Sequence, residues 1–342
     1  MFMKPLVSVI ILNYNGKEFL DDCLSSVLNQ TYKNYEIIFV DNASQDGSVD
    51  YVRENFSSVK IIENEGNCGY AKGNNTGIKK AKGKYVVILN PDVEVAKDWL
   101  EELVKSIEGD KTIASTQSKI LLFGDRNRLD GDGGVIHFLG FAWGGNHLKI
   151  SRKGGRSREI AFPGGASIIV RRNVLNEIGF FDEDLFMYHE DVDLGWRMWL
   201  AGYRVLSAPS SEIYHKYSFS RNRMKNYYME RNRFILLLKN CELKTLVLIF
   251  PALLFMEIGM IFYSLTKGWF LDKLRGYIYI LKNLDRILFK RREVQKIRKV
   301  SDKEIFKRFV SRIEFQEIQN PVLDRMVNPI LDAYWRFIKK FV

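Results

Sequence analysis

The sequence predicts an α/β protein whose N-terminal part is a nucleotide-binding sheet, mixed and mainly parallel, flanked by helices. Two observations indicate this class. Short runs rich in β-branched residues alternate with stretches of helical periodicity through the first 90 residues, which is the pattern of crossover units. Asn and Asp residues recur where these runs end, and ligands of such sheets collect at that edge.

The strand and helix segments follow one another in a regular order. Segment 17–30 carries apolar residues at the spacing of one helix face, as expected of a helix packed on a sheet. The segment from about 115 to 165 is rich in glycine and charged residues, which predicts long irregular loops. A further helix is predicted from near Glu190 to Gly202. In order, the first strands are predicted over 6–15, 35–44, 59–67 and 84–90, and the first helices over 17–30, 46–56 and 70–81.

The length and composition favour one large domain with an appendage. The 342 residues are 46% hydrophobic, enough to bury a sizeable core. We place a catalytic domain at 1–240 and a helical, basic and apolar region at 241–342. The three scattered cysteines have neither metal-ligand spacing nor a disulfide pattern, which indicates a reducing, cytoplasmic setting. The brief N-terminal apolar run is interpreted as the first strand and not as a signal peptide.

The formal net charge of +11 predicts an anionic partner. A basic cluster at 286–300 follows an apolar run at 243–265, which favours an anionic membrane surface. Nucleic acid is not expected, because no nucleic-acid motif is present. The apolar run has the length of a membrane span but contains Pro251 and Glu257, so an interfacial or re-entrant segment is favoured. A spanning helix and an ordinary helical subdomain stay open as alternatives.

Polar residues cluster at the ends of four predicted strands. Asn and Asp favour turns by themselves, so each cluster alone has a simple structural explanation. Four such clusters along one sheet edge are better explained by a shared ligand site. The residues are Asn13 and Asn15, Asp41 and Asn42, Asn64 and Asn67, and Asn90 with Asp92.

Seven ordered stretches of this sequence resemble family 2 of the glycosyltransferases, inverting enzymes on the GT-A fold, and most closely the rhamnosyltransferase branch. The resemblance covers residues 5 to about 240 in the family's order. It implies transfer of a sugar from a nucleotide-diphosphate donor to an acceptor hydroxyl, in the synthesis of a cell-surface polysaccharide or a glycoprotein glycan. The stretches are "VSVIILNYNG", "IIFVDNASQDGS", "NEGNCGYAKGNNTGI", "YVVILNPDVEV", "FPGGASIIVRR", "IGFFDEDLFMYHEDVDLGWRMWLAGYRV" and "IYHKYSFS".

The resemblance also implies roles for residues at the strand ends. Asp41 is expected to accept a hydrogen bond from the pyrimidine ring, with Asn13, Asn67 and Gly69 lining the rest of the nucleotide site. Family members commonly carry Asp-x-Asp where this chain has Asn90-Pro91-Asp92. Asp92 is therefore the expected ligand of Mg²⁺ or Mn²⁺, and one carboxylate with substrate phosphates can suffice. The neutral Asn90 is expected to contact the ribose or a metal-bound water.

The later motifs supply a second metal ligand and a base. His215 aligns with the family's late histidine and is the expected partner of Asp92, although a purely structural histidine is the simpler alternative. Asp191, at the start of the predicted helix, is expected to be the general base, ionised with the help of the helix N-terminus. Gly164, Gly165 and Glu190 are expected to approach the donor sugar and the acceptor. His189 is a weaker alternative for the base.

Two further residues and two further functions are considered. Asp193 and Arg197 have the spacing of an ion pair on one helix face. Arg231 either helps to hold phosphate or is a surface arginine. A sugar-phosphate nucleotidyltransferase would carry an N-terminal Gly-rich activation loop, which "IILNYNGKEFL" lacks. A non-catalytic nucleotide-sugar-binding protein would lack part of the set Asp92, Asp191 and His215.

The expected acceptor is a glycan, and a polyprenyl-diphosphate-linked one fits a membrane-surface enzyme. The expected location is the cytoplasmic face of the cell membrane. The identity of the sugar is left open by the sequence, with dTDP-rhamnose or a UDP-sugar favoured by the branch.

Overall fold

The computed structural model describes residues 4–152, 154–216, 224–314 and 321–342. The chain divides into two compact units. The first, which we call the sheet unit, spans Met1–Gly134, Gly144–Met198 and Tyr203–Phe219. The second, the helical unit, spans Val135–Trp143, Trp199–Gly202 and Ser220–Val342. The domain division at 240 predicted from the sequence stays a prediction.

Strands occupy most of the sheet unit, and the predicted early strands are all present with shorter ends. In the described residues they are β1 Val7–Asn13, β2 Tyr35–Asp41, β3 Lys60–Glu63, β4 Tyr85–Leu89, β5 Val93–Val95, β6 Ile113–Leu122, β7 Asp125–Gly131, β8 Gly134–Ile136, β9 Ala142–Gly144, β10 Ser167–Arg171 and β11 Arg204–His215.

Helices alternate with the first strands and then dominate the C-terminal third. The α-helices in the described residues are α1 Lys17–Leu28, α2 Ser48–Asn55, α3 Gly69–Lys80, α4 Trp99–Glu108, α5 Arg172–Ile178, α6 Glu190–Leu200, α7 Lys225–Asn240, α8 Leu243–Thr266, α9 Phe270–Lys282, α10 Leu284–Ile297, α11 Asp302–Ile305 and α12 Asn328–Ile338.

The main sheet is mixed, as predicted, and its strand order is β3-β2-β1-β4-β10-β6-β11-β5, with β7 paired to β6. Strands β1, β2, β3 and β4 pair in parallel, and Asn13 lies opposite Asp41 in the register. Their carboxyl ends therefore meet at one edge, because parallel neighbours end on the same side. Strands β5, β7 and β10 run antiparallel to their neighbours.

The expectation of irregular structure from 115 to 165 is wrong for its first part. Strand β6 is ten residues long, and β7 follows it after a tight turn and pairs back on it. Strand β7 was not predicted because it is rich in charged residues. Its side chains from Asp125 to Arg128 are exposed. Pairing with a buried neighbour stabilised a strand that its own composition does not predict.

The core of the sheet unit consists of apolar side chains on the central strands. Strand β1 is buried along its whole length and so is β4, as expected of parallel strands covered on both faces. Helix α4 places Trp99, which is fully buried, against this layer. The Trp99 Nε1 atom donates hydrogen bonds to Ser118 and Ser167, at 3.1 and 2.9 Å. These bonds tie β6 and β10 together beneath the edge that carries the site.

The helical unit has a buried network of charged side chains. Lys273 Nζ lies 2.5 Å from Glu230 Oε2 and 2.7 Å from Glu257 Oε2. Arg233 pairs with the same two glutamates, and Tyr277 donates a hydrogen bond to Glu257. Both cations are almost fully buried, so the two glutamates compensate their charge inside the unit.

Helix α8 is continuous from Leu243 to Thr266 with Pro251 inside it, so the re-entrant alternative for this run is wrong. Among the described residues it is the one helix whose length and composition would allow it to cross a membrane. Most of the helix is not buried. Arg231 is buried among Tyr227, Tyr228 and Tyr279, so the surface alternative is wrong, while its phosphate role stays a prediction.

Candidate active site

The ends of β1 and β2 are joined by a compact hydrogen-bond network. Asn13 Nδ2 donates to Asp41 Oδ1 at 2.9 Å and to Ser44 Oγ at 3.1 Å. Ser44 donates to Asp41 twice, from its backbone N–H at 2.7 Å and from its hydroxyl at 2.6 Å. Asn13 and Asp41 are buried. The two predicted nucleotide residues are therefore held rigidly together, and Ser44 is a member of this cluster that was not singled out from the sequence.

A second polar cluster links the end of β2 to the start of α3. Asn42 Nδ2 donates to the Gly69 carbonyl at 3.1 Å, and Asn64 Nδ2 donates to Asn42 Oδ1 at 2.8 Å. Asn67 Oδ1 accepts from the Gly69 N–H at 3.0 Å. The loop that contains the predicted residues Asn67 and Gly69 is thus anchored to the sheet edge.

Gly69 has a packing reason to be glycine. Its φ is +81°, and a Cβ there would lie 2.6 Å from the carbonyl oxygen of Phe186. The same carbonyl accepts a hydrogen bond from the Ala71 N–H at 3.0 Å. Because only glycine adopts this conformation without strain at such close approach, Gly69 lets the segment before α6 lie directly on the start of α3.

Asn90 and Asp92 lie between β4 and β5, on the same sheet edge. The Asn90 N–H donates to the Ala166 carbonyl at 3.0 Å, while its side-chain oxygen is buried and accepts no hydrogen bond from the described residues. The Asp92 carbonyl accepts from the Lys216 N–H at 2.9 Å. The strand end that carries Asp92 is therefore fastened directly to the end of β11.

The imidazole of His215 lies between two carboxylates. Its Nε2 atom is 3.3 Å from Asp92 Oδ1, and its Nδ1 atom is 2.6 Å from Asp130 Oδ2. Asp130 also contacts His147, whose Nδ1 is 3.1 Å from Asp130 Oδ1. Burial by itself lowers the pKa of His215, but the hydrogen bonds and charges of Asp130 and Asp92 outweigh burial and raise it to about 9.

A divalent cation fits this arrangement when it takes the place of the proton on His215 Nε2. Histidine ligands of metals characteristically donate their second N–H to a carboxylate, and Asp130 stands in that position behind His215. Asn90, two residues before Asp92, has a buried side-chain oxygen that accepts no hydrogen bond within the described part of the chain. In the described part of the chain no three His, Cys, Asp or Glu side chains form a metal-binding group. A site built from Asp92 and His215 would therefore depend on substrate phosphates for its other ligands, which is usual for Mg²⁺.

Asp191, the predicted base, contacts the predicted glycine loop. Its Oδ2 atom accepts from the Gly165 N–H at 3.0 Å, and its Oδ1 atom accepts from the Val192 N–H at 2.7 Å. Asp191 is the second residue of α6. The helix N-terminus predicted from the sequence is thus present, and the structure joins Asp191 to Gly165 across 26 residues of chain.

Burial counteracts the helix N-terminus at Asp191. Desolvation raises the pKa of Asp191 to about 6, although the amide donors from Gly165 and Val192 lower it. Desolvation and the neighbouring Asp191 charge raise the pKa of Glu190 well above its ordinary value. Burial and the proximity of the two carboxyl groups therefore both oppose ionisation of the pair. Asp191 has the proton affinity that a general base near neutral pH requires.

Tyr70 joins the base to the rest of the site. Its hydroxyl donates to the Gly165 carbonyl at 2.7 Å. Burial raises the pKa of Tyr70 well above 10, and the charges of Glu190, Asp191 and Asp92 raise it further. Tyr70 is therefore within electrostatic range of all three carboxyl groups. Tyr70 was not predicted as a site residue, because a tyrosine on an ordinary helix gives no sequence signal of this kind.

The glycine loop is held from the sheet side by Gln117. The Gly164 N–H donates to Gln117 Oε1 at 2.6 Å, so both predicted glycines make contacts through their backbone. Gln117 lies in β6 and was missed because that segment was expected to be irregular. Asp130 and His147 were missed for the same reason.

The segment before α6 is strained. Phe186, Tyr188 and His189 all have φ between 62 and 67°, a region that non-glycine residues seldom adopt. Such strain is often found at functional sites. The backbone carbonyl of His189 accepts from the Asp193 N–H at 2.9 Å. The predicted pair of Asp193 and Arg197 is present and buried, at 2.8 Å.

Comparison with known proteins shows the family. The family model described as glycosyl transferase family 2 matches residues 8–179. N-acetylglucosaminyl-diphospho-decaprenol L-rhamnosyltransferase of Mycobacterium tuberculosis is 25% identical over 252 residues, 65% of this chain and 79% of that protein. Glycosyltransferase AglE of Haloferax volcanii is 40% identical over 112 residues, 31% of this chain and 36% of that protein.

A shorter match and two solved structures agree. The putative teichuronic acid biosynthesis glycosyltransferase TuaG of Bacillus subtilis is 36% identical over 102 residues, 29% of this chain and 40% of that protein. A mannosyltransferase of Pyrobaculum calidifontis, solved with GDP-Man and Mn²⁺, aligns with a TM-score of 0.52 at 18% identity, covering 82% of this chain and 88% of that one.

The second structure, GalNAc-T7 with UDP, GalNAc and Mn²⁺, aligns with a TM-score of 0.58 at 22% identity, covering 68% of this chain and 47% of that one. At these identities the two structures show the GT-A fold. Together with the family model, which matches about half of the chain, they lead to one conclusion: this protein is a glycosyltransferase of family 2.

Proposed function

We propose that the protein transfers a sugar, with inversion, from a nucleotide diphosphate to a hydroxyl group of a lipid-linked glycan acceptor. The observation that carries the proposal is that the glycine loop connects the base to the acidic strand end. The Gly165 N–H donates to Asp191, and the adjacent Ala166 carbonyl accepts from the N–H of Asn90, two residues before Asp92. Displacement of a diphosphate requires a base for the acceptor hydroxyl and compensation of the charge on the leaving group. Asp191 and Asp92 are proposed for these two roles.

The chain's own residues account for the proton transfer. The acceptor hydroxyl gives its proton to Asp191 while its oxygen attacks the anomeric carbon, and the bond to the leaving diphosphate breaks. The amides of Gly165 and Val192 hold the two Asp191 oxygens in place. Glu190, the neighbouring carboxyl group at the start of α6, is proposed to contact the acceptor. One displacement inverts the anomeric centre, whereas retention would need a nucleophile placed against that carbon.

The strand-end residues supply the nucleotide site. Asp41 is held by Asn13 and Ser44, and a carboxylate oxygen can accept a further hydrogen bond from a base N–H. Asn67, just before α3, and Gly69, its first residue, are proposed to line the phosphate side of this site. Asp92 and His215 would hold Mg²⁺ or Mn²⁺, which would neutralise charge on the departing diphosphate.

The relatives support a donor and an acceptor class. The name of the mycobacterial relative specifies rhamnose and a decaprenol diphosphate-linked sugar, and the name of the Bacillus relative specifies teichuronic acid synthesis. A rhamnose donor with a dTDP carrier, or a UDP-sugar, is therefore proposed. The acceptor is proposed to be a polyprenyl-diphosphate-linked glycan on the way to a cell-surface polysaccharide.

A membrane-surface location is proposed from the two faces of α8. Glu257 on one face is buried in the ion network with Arg233 and Lys273. The exposed side of the helix carries apolar side chains at intervals of three and four residues, which is one continuous helical stripe, and Glu257 lies at the margin of this stripe. These side chains are Leu243, Val247, Phe250, Leu254, Ile258, Phe262 and Leu265, each at least half exposed.

The charge of the helical unit matches an anionic lipid surface. Helix α10 carries five basic residues and two acidic ones, and amphipathic cationic helices lie in the interface plane. Helix α8 is buried along one side and exposes apolar side chains along another. Such a helix is suited to lie on the membrane. We propose the cytoplasmic leaflet as the surface. Flotation of the full chain with vesicles of anionic lipid and of neutral lipid tests this, and absence from the anionic vesicles contradicts it.

The central experiment is a panel of nucleotide sugars. Purified protein is incubated with each donor in Mn²⁺, in Mg²⁺ or in EDTA, and release of the nucleoside diphosphate is measured with and without a polyprenyl-diphosphate-linked sugar. One donor should give acceptor- and metal-dependent turnover, and the product anomer should be inverted relative to the donor. Turnover that is unchanged in EDTA would overturn the metal role, and a retained anomer would overturn the mechanism.

A further inference from the structure

A basic cavity lies in the sheet unit, and none of the residues assigned above lines it. Its volume is about 380 Å³. Strand residues form its floor, and the loop between β9 and β10 forms its wall. The lining contains five cationic side chains and one acidic one. The charged members are Lys119, Lys149, Arg152, Arg156, Arg158 and Asp132.

Three of the cations have partners inside the cavity wall. Lys119 is buried and its Nζ lies 2.9 Å from Glu212. Arg158 pairs with Asp132 at 2.5 Å. Lys149 Nζ donates to Asn146 Oδ1 at 2.9 Å, a neutral group that leaves the lysine charge uncompensated. The wall is thus shaped by internal contacts and keeps a positive excess.

The remaining two cations are available to a ligand. Arg152 and Arg156 are exposed, and neither side chain forms an ion pair with any residue that the structure describes. Guanidinium groups bind phosphate through paired hydrogen bonds. Two of them in a cavity that also contains the uncompensated charge of Lys149 form a receptor for a group with several anionic oxygens.

The cavity lies beside the acceptor side of the site. Lys119 and Gln117 are two residues apart on β6, so their side chains share one face of the sheet, about 7 Å apart along the strand. Gln117 holds Gly164 of the loop that contacts the base Asp191. Ser118, between them, points to the other face and contacts Trp99. An acceptor whose hydroxyl is at Asp191 can therefore extend toward the cavity.

We propose that this cavity binds a phosphate or diphosphate group of the acceptor. The inference rests on the proposed function in one respect, that the acceptor reaches Asp191. The cavity selects acceptors with a phosphate-bearing linkage over neutral glycosides that carry the same terminal sugar. The phosphate can come from a lipid diphosphate linkage or from a phosphate within the glycan.

The first test is direct binding. Sodium diphosphate is titrated calorimetrically in EDTA into the full-length protein, into the Arg152→Gln/Arg156→Gln variant, and into a Lys97→Gln/Lys111→Gln control that removes the same charge from exposed positions of the sheet unit. We expect the arginine variant to bind about tenfold more weakly, as loss of charge-assisted hydrogen bonds predicts, and the control to match the wild type. Equal affinity in the two variants, or no binding by the wild type, overturns the proposal.

The second test separates this proposal from the proposed function. Donor hydrolysis without acceptor should be the same in the arginine variant and the wild type, because the donor residues are intact. The KM for a lipid-diphosphate-linked acceptor should rise about tenfold in the variant, while the KM for a neutral glycoside should not change. A glycan carrying an internal phosphate identifies the second source if only its KM rises. An equal KM for every acceptor overturns the cavity's role, and absence of donor hydrolysis in all proteins overturns the proposed function alone.

Discussion

The buried carboxylates of the sheet unit and of the helical unit have opposite surroundings. Glu190 and Asp191 lie side by side, and the hydrogen bonds to Asp191 come from backbone amides, so burial raises the pKa of both groups. Glu230 and Glu257 are instead paired with Lys273 and an arginine. Burial thus opposes ionisation of the first pair, whereas salt bridges compensate the charge of the second pair.

Arg233 shows the same contrast from the cationic side. Burial alone would lower the pKa of Arg233, but the charges of Glu230 and Glu257 outweigh it and raise the pKa. Burial therefore does not by itself create a catalytic group. The direction of the pKa shift of a buried group depends on whether an oppositely charged side chain lies next to it. The helical unit supplies such partners to its buried carboxylates, and the described part of the sheet unit does not supply them to Glu190 and Asp191.

The largest expected effect is on transfer by Asp191→Asn. The substitution keeps the shape but removes the base, so the transfer rate should fall by about 10²–10⁴-fold while the affinity for the donor changes little. Initial rates and donor titration measure the two quantities. Asp98→Asn, an exposed carboxylate in the same unit, is the matched control. Transfer at the wild-type rate in Asp191→Asn would remove this residue from the base role.

Substitutions in the ion network of the helical unit should change the stability of the protein and not the chemical step. Lys273→Met leaves two buried glutamates with one cation fewer, which should lower the free energy of unfolding by about 3–5 kcal/mol. Lys282→Met, an exposed lysine on the same helix, should change it by less than about 0.5 kcal/mol. Denaturant unfolding of both variants measures the difference. Equal stability of the two variants would show that the network contributes nothing to folding.

Asp130 has surroundings intermediate between those of the two carboxylate pairs. Its neighbours are two imidazoles, those of His147 and His215. Asp130→Asn should weaken Mn²⁺ binding by about 10–100-fold through the loss of the carboxylate behind His215. Asp125→Asn on the same strand is exposed and should leave binding unchanged. Titration of Mn²⁺ followed by electron paramagnetic resonance reads this without any turnover. An unaltered affinity in Asp130→Asn would separate His215 from the metal site.

The smallest expected effect is that activity and stability depend on pH in opposite directions. Asp191 must be ionised to act, so kcat/KM should fall about tenfold for each unit below a pH of about 6. Stability should move the other way. Because the folded pKa lies above the ordinary value of 3.8, the folded state binds more protons between the two values, and stability decreases as pH rises through that range.

Asp191→Asn separates the two parts of this prediction. The variant should lose the stability change between pH 4 and 6 that the wild type shows, since Asn does not titrate. Unfolding at a series of pH values measures it. A wild type whose stability rises across this range, by an amount that the variant does not share, would contradict a raised pKa for Asp191.

Much of the sheet edge was predictable from local pattern. Asn13, Asp41, Asn90 and Asp92 all follow apolar β-branched runs, and the structure places all four at strand ends of one sheet. The start of α6 at Glu190 was predictable from the acidic residues before an amphipathic stretch. Local sequence is sufficient here because parallel crossover units bring strand ends together whatever the details of their loops.

The second half of the sheet was not predictable in this way. Strand β7 has an exposed, charged sequence, so the contact of its Asp130 with His215 has no local signal. Tyr70 and Gln117 likewise become site residues only through contacts with Gly165 and Gly164. Each of these contacts joins parts of the chain that are distant in sequence, and antiparallel pairing of β10 and β7 sets which parts meet.

The sequence by itself determined the α/β class, the strand ends that carry Asn and Asp, and the resemblance to family 2 of the glycosyltransferases. The tertiary structure alone decided that Asp191 has a raised pKa and that a basic cavity lies next to the glycine loop. The physical reason is that a residue's type and spacing are local properties. Desolvation and charge compensation depend instead on every neighbour that folding brings near.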